Sequence, residues 1–400
     1  MQFIQSLRLD NLLSFPPGTD KFDLQPLNVL IGPNGAGKSN LIEALELLRS
    51  TPVDLAAAIR DGGGAQEWLW KGEGANKAAT IDIVTGDVDV DLDTLTRKPL
   101  RYRLEFTETR SRVEVLDEAI ENVKPLPGHV EPFFYYRFQH GRPAINIRKF
   151  WEGDGWQNRA LERVDLAPDQ SVLAQFQDPK IYPEVTWLGR KFRQIQVFRE
   201  WTFGRYAHLR QPQPADLPED SLLPDSSNLA LLLNQIDHQD PVIFNQMLKR
   251  FFPRFERMST RVSSGSVQFF LHESGFRHPI PATRLSDGTI RFVAILALLL
   301  SPSPPPFVCI EEPELGLHPD AVALMADVLV EASQRMQLLV TTHSDALVSA
   351  LSDKPSAVVA CERPGAGTVL RRLDPEKLKF WLEDYQLGDL WRIGELGANP

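Results

Sequence analysis

Residues 32 to 39 read Gly32-Pro33-Asn34-Gly35-Ala36-Gly37-Lys38-Ser39. This octet fits the pattern G-x-x-x-x-G-K-[ST], in which backbone N–H groups surround phosphate oxygens while the lysine reaches the terminal phosphates and the hydroxyl reaches Mg²⁺. The run 28–31 before it predicts a buried parallel strand, and leucines at helical spacing predict a helix over 40–49. Because that helix would aim its N-terminus at bound phosphates, we expect the octet and Asn40 to bind a nucleotide.

Two adjacent glutamates end a second apolar run, Phe307-Val308-Cys309-Ile310-Glu311-Glu312. In a parallel sheet, ligands bind at the carboxyl ends of the strands, so both carboxylates would lie beside the phosphate loop. We expect Glu311, together with Ser39, to hold Mg²⁺, and Glu312 to orient or deprotonate the attacking water. A pair of surface glutamates is the alternative, and the four apolar residues before the pair disfavour it.

A third motif, Leu285-Ser286-Asp287-Gly288-Thr289, precedes a segment that is apolar on almost every side and therefore predicts a buried helix over 290–300. Ser286 or Asp287 can cap this helix without any other role. A serine and a glycine at a helix N-terminus also form an anion site. Ser286, Asp287 and Gly288 are therefore candidate nucleotide-binding residues.

The fourth motif, Thr341-Thr342-His343-Ser344, follows another apolar strand, 337–342. The imidazole of His343 should therefore also lie at the carboxyl edge of the sheet. A histidine with a purely structural role is the alternative. Because the other three motifs are also present, we interpret His343 as a catalytic residue that senses the γ-phosphate.

Length and composition limit the class of protein. The chain has 400 residues, which favours two lobes, and its 42% hydrophobic and 24% charged residues are those of an ordinary globular protein. The longest apolar run, 292–300, is too short to span a bilayer, and Met1-Gln2-Phe3 begins no signal segment, so we expect a cytoplasmic protein without a membrane partner. Cys309 and Cys361 are expected to be buried thiols in a reducing compartment.

The order of the elements predicts an α/β fold with a mainly parallel core sheet and helices. Short alternating strands between 80 and 150 form an antiparallel β-meander subdomain, because such strands do not fit a doubly wound parallel sheet. The expected divisions are 1–78 and 281–362 for the two parts of the core, 79–150 for the β subdomain, 151–280 for a helical or irregular insertion, and 363–400 for a C-terminal extension.

Together, the four motifs resemble the ABC-type ATPase heads of the SMC and RecF class, and most closely the stand-alone RecF-like bacterial AAA-type ATPases related to the OLD family. The resemblance covers most of Met1 to Asp353, and residues 314–319 look like the D-loop of that class. It implies a P-loop NTPase of ABC/RecF-like type, ATP and Mg²⁺ as cofactors, and a homodimer that encloses two ATP molecules. In such a dimer, Ser286 and Gly288 contact the γ-phosphate held by Lys38 of the partner subunit.

Some features depart from the wider class. Asp287 stands where transporter heads have glycine, and the acid on the metal side is Glu311 rather than aspartate, as in the OLD-related branch. Gln139 is the candidate for the Q-loop. The distance from Lys38 to Leu285 is too long for a transporter head and, without heptads, too short for a long coiled-coil arm. The segment after Leu370 is too short for the nuclease domain of OLD proteins, so any nuclease partner would be a separate chain encoded nearby.

These features predict an ATPase whose ATP-dependent dimerisation moves a partner or a nucleic acid, in DNA repair or in defence against mobile elements. A nucleotide-gated scaffold with slow hydrolysis and a transporter's nucleotide-binding subunit are the alternatives. The net charge of −10 argues against a generally DNA-binding surface but permits a local basic groove. Candidates for DNA contact are 190–193, Arg199 and Arg205, and a solvated helix face is the alternative.

Overall fold

The structure is a computed structural model that describes residues 2–87, 98–139, 142–149, 155–239, 241–365 and 367–398. Its strands are β1 (Ile4–Asp10), β2 (Phe22–Asp23), β3 (Leu27–Ile31), β4 (Ala78–Asp87), β5 (Pro99–Thr109), β6 (Arg112–Asn122), β7 (Phe134–Gln139), β8 (Arg142–Lys149), β9 (Gly155–Ala160), β10 (Gln196–Phe198), β11 (Gln213–Pro214), β12 (Phe255–Ser263), β13 (Ser266–Glu273), β14 (Ile280–Pro281), β15 (Phe307–Glu311), β16 (Gln337–Thr341), β17 (Val358–Glu362) and β18 (Val369–Arg372).

The α-helices are α1 (Lys38–Ser50), α2 (Leu55–Asp61), α3 (Ala65–Trp68), α4 (Val172–Gln175), α5 (Pro183–Arg193), α6 (Leu229–Gln239), α7 (Pro241–Phe251), α8 (Asp287–Leu299), α9 (Pro319–Ala332), α10 (Asp345–Ser349), α11 (Pro375–Leu378) and α12 (Leu387–Arg392). Within the described ranges, none of these helices is both long enough and apolar enough to cross a bilayer.

The core sheet has six strands in the order β10-β15-β16-β3-β17-β18. All are parallel to their neighbours except β18, which is antiparallel to β17. Every residue of β3 and of β16 is buried, as expected for strands covered on both faces. The strands predicted before the phosphate loop, before the paired glutamates and before His343 are confirmed. Their carboxyl ends meet at one edge.

An antiparallel sheet of eight strands, in the order β2-β1-β4-β5-β6-β7-β8-β9, lies beside the core sheet. The predicted meander is confirmed, and β5 shows its alternation of buried and less buried residues. The sheet also includes β1, which pairs with β4 and precedes the core strand β3 in the chain. Phe150, predicted to end the meander, lies outside the described residues.

The segment 151–280 is more mixed than the helical or irregular lobe expected from sequence. It contains α4 to α7, but β10 joins the edge of the core sheet, and β12 with β13 forms a hairpin in a separate four-stranded sheet. Three residues are too few for β10 to show a periodic signal, and its position is fixed by pairing with β15.

Two hydrophobic cores lie on opposite faces of the core sheet. Val29 and Val340 point into one core with α6 to α9, whereas Leu30 and Leu339 point into the other with α1, α2 and α5. Alternation along each strand produces this division. The C-terminal part also joins a core, because Trp391 of α12 is fully buried and donates a hydrogen bond to the carbonyl of Ala398. Both faces of the core sheet are thus covered.

Candidate nucleotide site

Close packing against the C-terminal strands shapes the phosphate loop. Gly32 has φ +148° and Gly37 has φ +104°. A Cβ on Gly32 would overlap the carbonyl oxygen of Cys361, and one on Gly37 would overlap the side chain of Thr368. The Thr368 hydroxyl also donates to the carbonyl of Ala36 at 2.8 Å. Glycine is therefore required at these two positions for backbone geometry as well as for access to phosphate.

Lys38 lies over the loop at the start of α1. Its side chain is buried, and Nζ donates to the carbonyls of Gly32 at 2.5 Å and Pro33 at 3.1 Å. Gly37 caps the helix without a side-chain hydrogen bond, and the first turn carries no acidic residue, so the amides at this end remain available to an anion. Burial lowers the pKa of Lys38, and the carboxylates of Glu312 and Glu311 oppose that effect.

The backbone turns sharply at Glu312, directly after β15. Glu312 has φ +47°, a left-handed conformation that costs a non-glycine residue on the order of 1 kcal/mol, and its N–H donates to the carbonyl of Thr341 at 3.0 Å. This turn brings Glu312 Oε1 to 3.7 Å from Nε2 of His343. Burial and the neighbouring Lys38 lower the pKa of His343, while Glu312 raises it. The imidazole is therefore neutral at pH 7.

Arg199, at the end of β10, lies inside this site. Its guanidinium donates to the carbonyl of Ser39 at 2.9 Å and lies 3.6 Å from a carboxylate oxygen of Glu311 and 3.6 Å from one of Glu46. These contacts place Arg199 at the nucleotide site, and its contact with DNA stays a prediction. Recognising β10 as a strand beside β15 would have placed Arg199 at the same sheet edge as Glu311.

The oxygen atoms near Ser39 suit Mg²⁺. Oε1 of Glu311 is buried and, within the described part of the chain, makes no hydrogen bond. No group of three or more His, Cys, Asp or Glu side chains among the described residues could hold a metal ion. Mg²⁺ characteristically binds through one or two protein oxygens together with substrate phosphates and water. Ser39 and Glu311 fit that requirement, with the remaining ligands coming from a nucleotide and solvent.

The signature turn, residues 285–289, begins α8, and Ser286 and Asp287 in it are exposed, whereas Leu285 is buried. The hydroxyl of Ser286 caps the helix by accepting from the N–H of Thr289 at 3.1 Å. Gly288 packs against another loop, because a Cβ there would lie 3.0 Å from the carbonyl oxygen of Gly316. Among the described residues, the turn has no hydrogen bond or ion pair with 32–39. The chain thus brings the phosphate loop, the paired acids and His343 together and presents the signature turn separately.

Arg210 anchors the signature turn from inside the protein. Its side chain is only 3% exposed and forms an ion pair with Asp287. It also donates to the backbone carbonyls of Phe203 at 2.7 Å, Ala282 at 3.2 Å and Leu285 at 2.7 Å. The aspartate at this position, which departs from transporter heads, therefore has a structural partner. Sequence analysis missed Arg210 because no local pattern connects it to a motif so far along the chain.

The remaining candidates lie on other elements, and Arg205 lines a cleft together with Arg199 and Glu46. Gln139 pairs through its backbone with Arg142 in the antiparallel sheet, whereas Arg199 occupies the strand end next to Glu311. Arg193 donates to the carbonyl of Pro52 at 2.7 Å, so it contributes to packing of α5. Arg190 and Arg205 are exposed.

Comparison with known protein families identifies the class of protein to which this chain belongs. Residues 27–349 match the family described as "AAA domain, putative AbiEii toxin, Type IV TA system". Since the match spans most of the 400 residues, the chain belongs to this family of P-loop ATPase domains. No curated protein matches the sequence significantly.

Solved structures of Smc heads share the fold. An Smc head bound to the C-winged helix domain of ScpA aligns with a TM-score of 0.56 at 14% identity, covering 94% of this chain and 99% of the other. A Pyrococcus furiosus Smc head with an extended coiled coil, bound to the C-terminal domain of ScpA, gives 0.54 at 13% identity, covering 96% and 99%. The protein therefore has the ABC-type fold of SMC heads.

Proposed function

We propose that this protein binds and hydrolyses ATP and that two copies dimerise around two ATP molecules. The observation that supports this most strongly is the separation of the signature turn from the phosphate loop of the same chain. The phosphate loop, Glu312 and His343 converge at one edge of the core sheet. Ser286 is exposed at the start of α8, and among the described residues its side chain forms hydrogen bonds with Thr289 alone. A second chain can supply the missing turn.

In the proposed binding step, the phosphates enter the loop 32–39 and accept hydrogen bonds from the free amides at the start of α1. Nζ of Lys38 exchanges the carbonyls of Gly32 and Pro33 for the terminal phosphates. Ser39 and Glu311 would hold Mg²⁺, which neutralises phosphate charge when bound. Arg199 holds Glu311 and the start of α1 next to each other, since it contacts both.

In the proposed hydrolysis step, Glu312 orients and polarises the attacking water. The left-handed backbone at Glu312 fixes where the carboxylate emerges. His343, which is neutral at pH 7, offers a hydrogen bond to the γ-phosphate from a position next to that carboxylate. Ser286 and Gly288 of the partner subunit would close the site over the γ-phosphate, with the N-terminus of α8 favouring the negative charge.

The cycle of dimerisation would act on a partner protein or a nucleic acid, in DNA repair or in defence against mobile elements. The family description, with its putative toxin, and the Smc heads bound to ScpA support a head that works with another component. Asp287 and Glu311 favour the OLD-related branch, and a separately encoded nuclease is the proposed effector. The two free, buried cysteines fit a cytoplasmic location.

Two substitutions test the proposal. Lys38→Ala should abolish ATP binding, because it removes the ammonium that faces the terminal phosphates. Glu312→Gln should retain ATP with at least a hundredfold lower turnover, because shape is kept while the group that handles water is lost. Isothermal titration with ATP and a phosphate-release assay measure these effects. Unchanged affinity for ATP in a folded Lys38→Ala variant would refute the phosphate-binding role of residues 32–39. A wild-type protein that dimerises with ATP but does not hydrolyse it would establish the alternative of a nucleotide-gated scaffold.

A further inference from the structure

The loop that follows Glu312 holds the backbone of His343. Oε1 of Glu314 accepts hydrogen bonds from the hydroxyl of Thr342 at 2.5 Å and from the N–H of His343 at 3.2 Å. The Thr342 hydroxyl in turn accepts from the N–H of Ser344 at 2.9 Å. One carboxylate therefore fixes three consecutive residues at the end of β16. Its position therefore determines where the backbone of His343 lies.

The same loop packs against the signature turn. The backbone turns at Gly316, which has φ +72°. Its carbonyl oxygen lies close to Gly288, because a Cβ added to Gly288 would be 3.0 Å from that oxygen. The N–H of Leu317 donates to the carbonyl of Glu314 at 3.0 Å, which closes the turn. A shift of the signature turn therefore displaces Gly316 and, through this turn, the backbone of Glu314.

Two charged side-chain atoms in these elements lack hydrogen-bond partners among the described residues. Oε2 of Glu314 and Nη1 of Arg291 are both buried, and neither makes a hydrogen bond within the described residues. Arg291 lies on α8 with its guanidinium 4.6 Å from the ring centre of Phe203. Burial lowers the pKa of Arg291, and the charges that oppose this effect come from Glu314 first, and then from Glu312 and Asp287. Buried charged atoms without hydrogen bonds are costly, so their retention in one place needs an explanation.

We propose that Glu314 and Arg291 form a link between the two ATP sites of a dimer. Glu314 positions His343, which serves the nucleotide bound by its own chain, whereas Arg291 belongs to the helix that carries the signature turn to the partner's nucleotide. Docking of the signature turn on the partner's γ-phosphate brings Arg291 and Glu314 together and fixes His343 in its working position. Both residues act by positioning. This inference rests on the proposed dimer.

A double-mutant cycle tests the link. Glu314→Gln and Arg291→Met should each lower kcat about tenfold while leaving the ATP affinity measured by titration unchanged, because neither residue contacts the phosphate loop. The double variant should be no slower than the slower single variant. Arg291→Lys keeps the charge and should recover most of the turnover. Arg60→Met, at an exposed position on α2, is the matched control and should behave as wild type.

Several results would overturn the inference. These are additive effects in the double variant, an Arg291→Lys variant as slow as Arg291→Met, or a loss that appears in ATP affinity instead of kcat. Thermal unfolding identifies a variant that fails to fold, and Thr342→Val then replaces Glu314→Gln, with the same requirement of non-additivity with Arg291→Met. A wild type that neither hydrolyses ATP nor dimerises would refute the proposed function itself, whereas an active wild type with an additive cycle refutes only the link.

Discussion

Replacing Arg210 by methionine should destabilise the protein and disable the signature turn together. The guanidinium is 3% exposed and satisfies three backbone carbonyls, so solvent cannot replace it without local opening. Each buried carbonyl that loses its donor costs about 1 kcal/mol or slightly more. The carboxylate of Asp287 is 73% exposed and can be rehydrated, so its share stays below about 1 kcal/mol. The expected loss is about 3 to 5 kcal/mol.

Urea unfolding followed by tryptophan fluorescence measures this loss, and a phosphate-release assay measures turnover. Asp287→Asn is the matched control, since it breaks the ion pair but leaves the three carbonyls satisfied, and it should cost under about 1 kcal/mol. At temperatures where Arg210→Met is still folded, ATP should bind normally because Lys38 is untouched, while turnover falls. A loss below about 1 kcal/mol, or equal losses for the two variants, would refute the role assigned to Arg210.

Three further predictions concern the loop, the β subdomain and DNA. Gly32→Ala should destabilise the protein by more than about 2 kcal/mol, whereas Gly35→Ala, with open space around the added Cβ, should cost about 1 kcal/mol. Similar losses for the two variants in urea unfolding would contradict the close packing of Gly32 against Cys361. Burial raises the pKa of Glu118 to about 7, so its contribution to stability, on the order of 3 kcal/mol, is fully present below pH 4.5 and is lost as pH rises through 7. Glu118→Gln should flatten that pH dependence of the free energy of unfolding. If the variant keeps the wild-type difference in stability between pH 5 and pH 8, Glu118 is not its cause. If exposed Arg190 contacts DNA, the affinity for DNA should weaken as salt rises, and Arg190→Ala should reduce the slope of log K against log salt by about 1. An affinity for DNA that does not depend on salt would exclude phosphate contacts by Arg190.

The motifs that sequence could identify are those whose chemistry is local. The phosphate loop needs glycines, a lysine and a hydroxyl in one octet, and the paired glutamates follow one apolar strand, so both were predicted together with the parallel sheet that joins them. The antiparallel meander was predicted for the same reason, since alternation along each strand is visible in the sequence.

The residues that were missed act through contacts between distant parts of the chain. Arg199 is at the end of a three-residue strand, and its role depends on β10 pairing with β15. Arg210 and Asp287 are far apart in sequence, and the bond of Glu314 to the backbone of His343 depends on how two loops pack. Side-chain identity alone does not distinguish such an arginine or glutamate from a solvated surface residue.

The central claim is that ATP joins two copies through the signature turn, in which Ser286 is exposed, and light scattering with purified variants tests it most directly. Glu312→Gln, which should retain ATP, is measured with and without ATP and Mg²⁺, alone and combined with Ser286→Arg. The single variant should change from monomer to dimer when ATP is added. The double variant should still bind ATP, because the phosphate loop is untouched, but stay monomeric, because the long side chain blocks the place of the partner's γ-phosphate. A Glu312→Gln variant that binds ATP and remains monomeric, or a Ser286→Arg combination that still dimerises, would contradict the composite site.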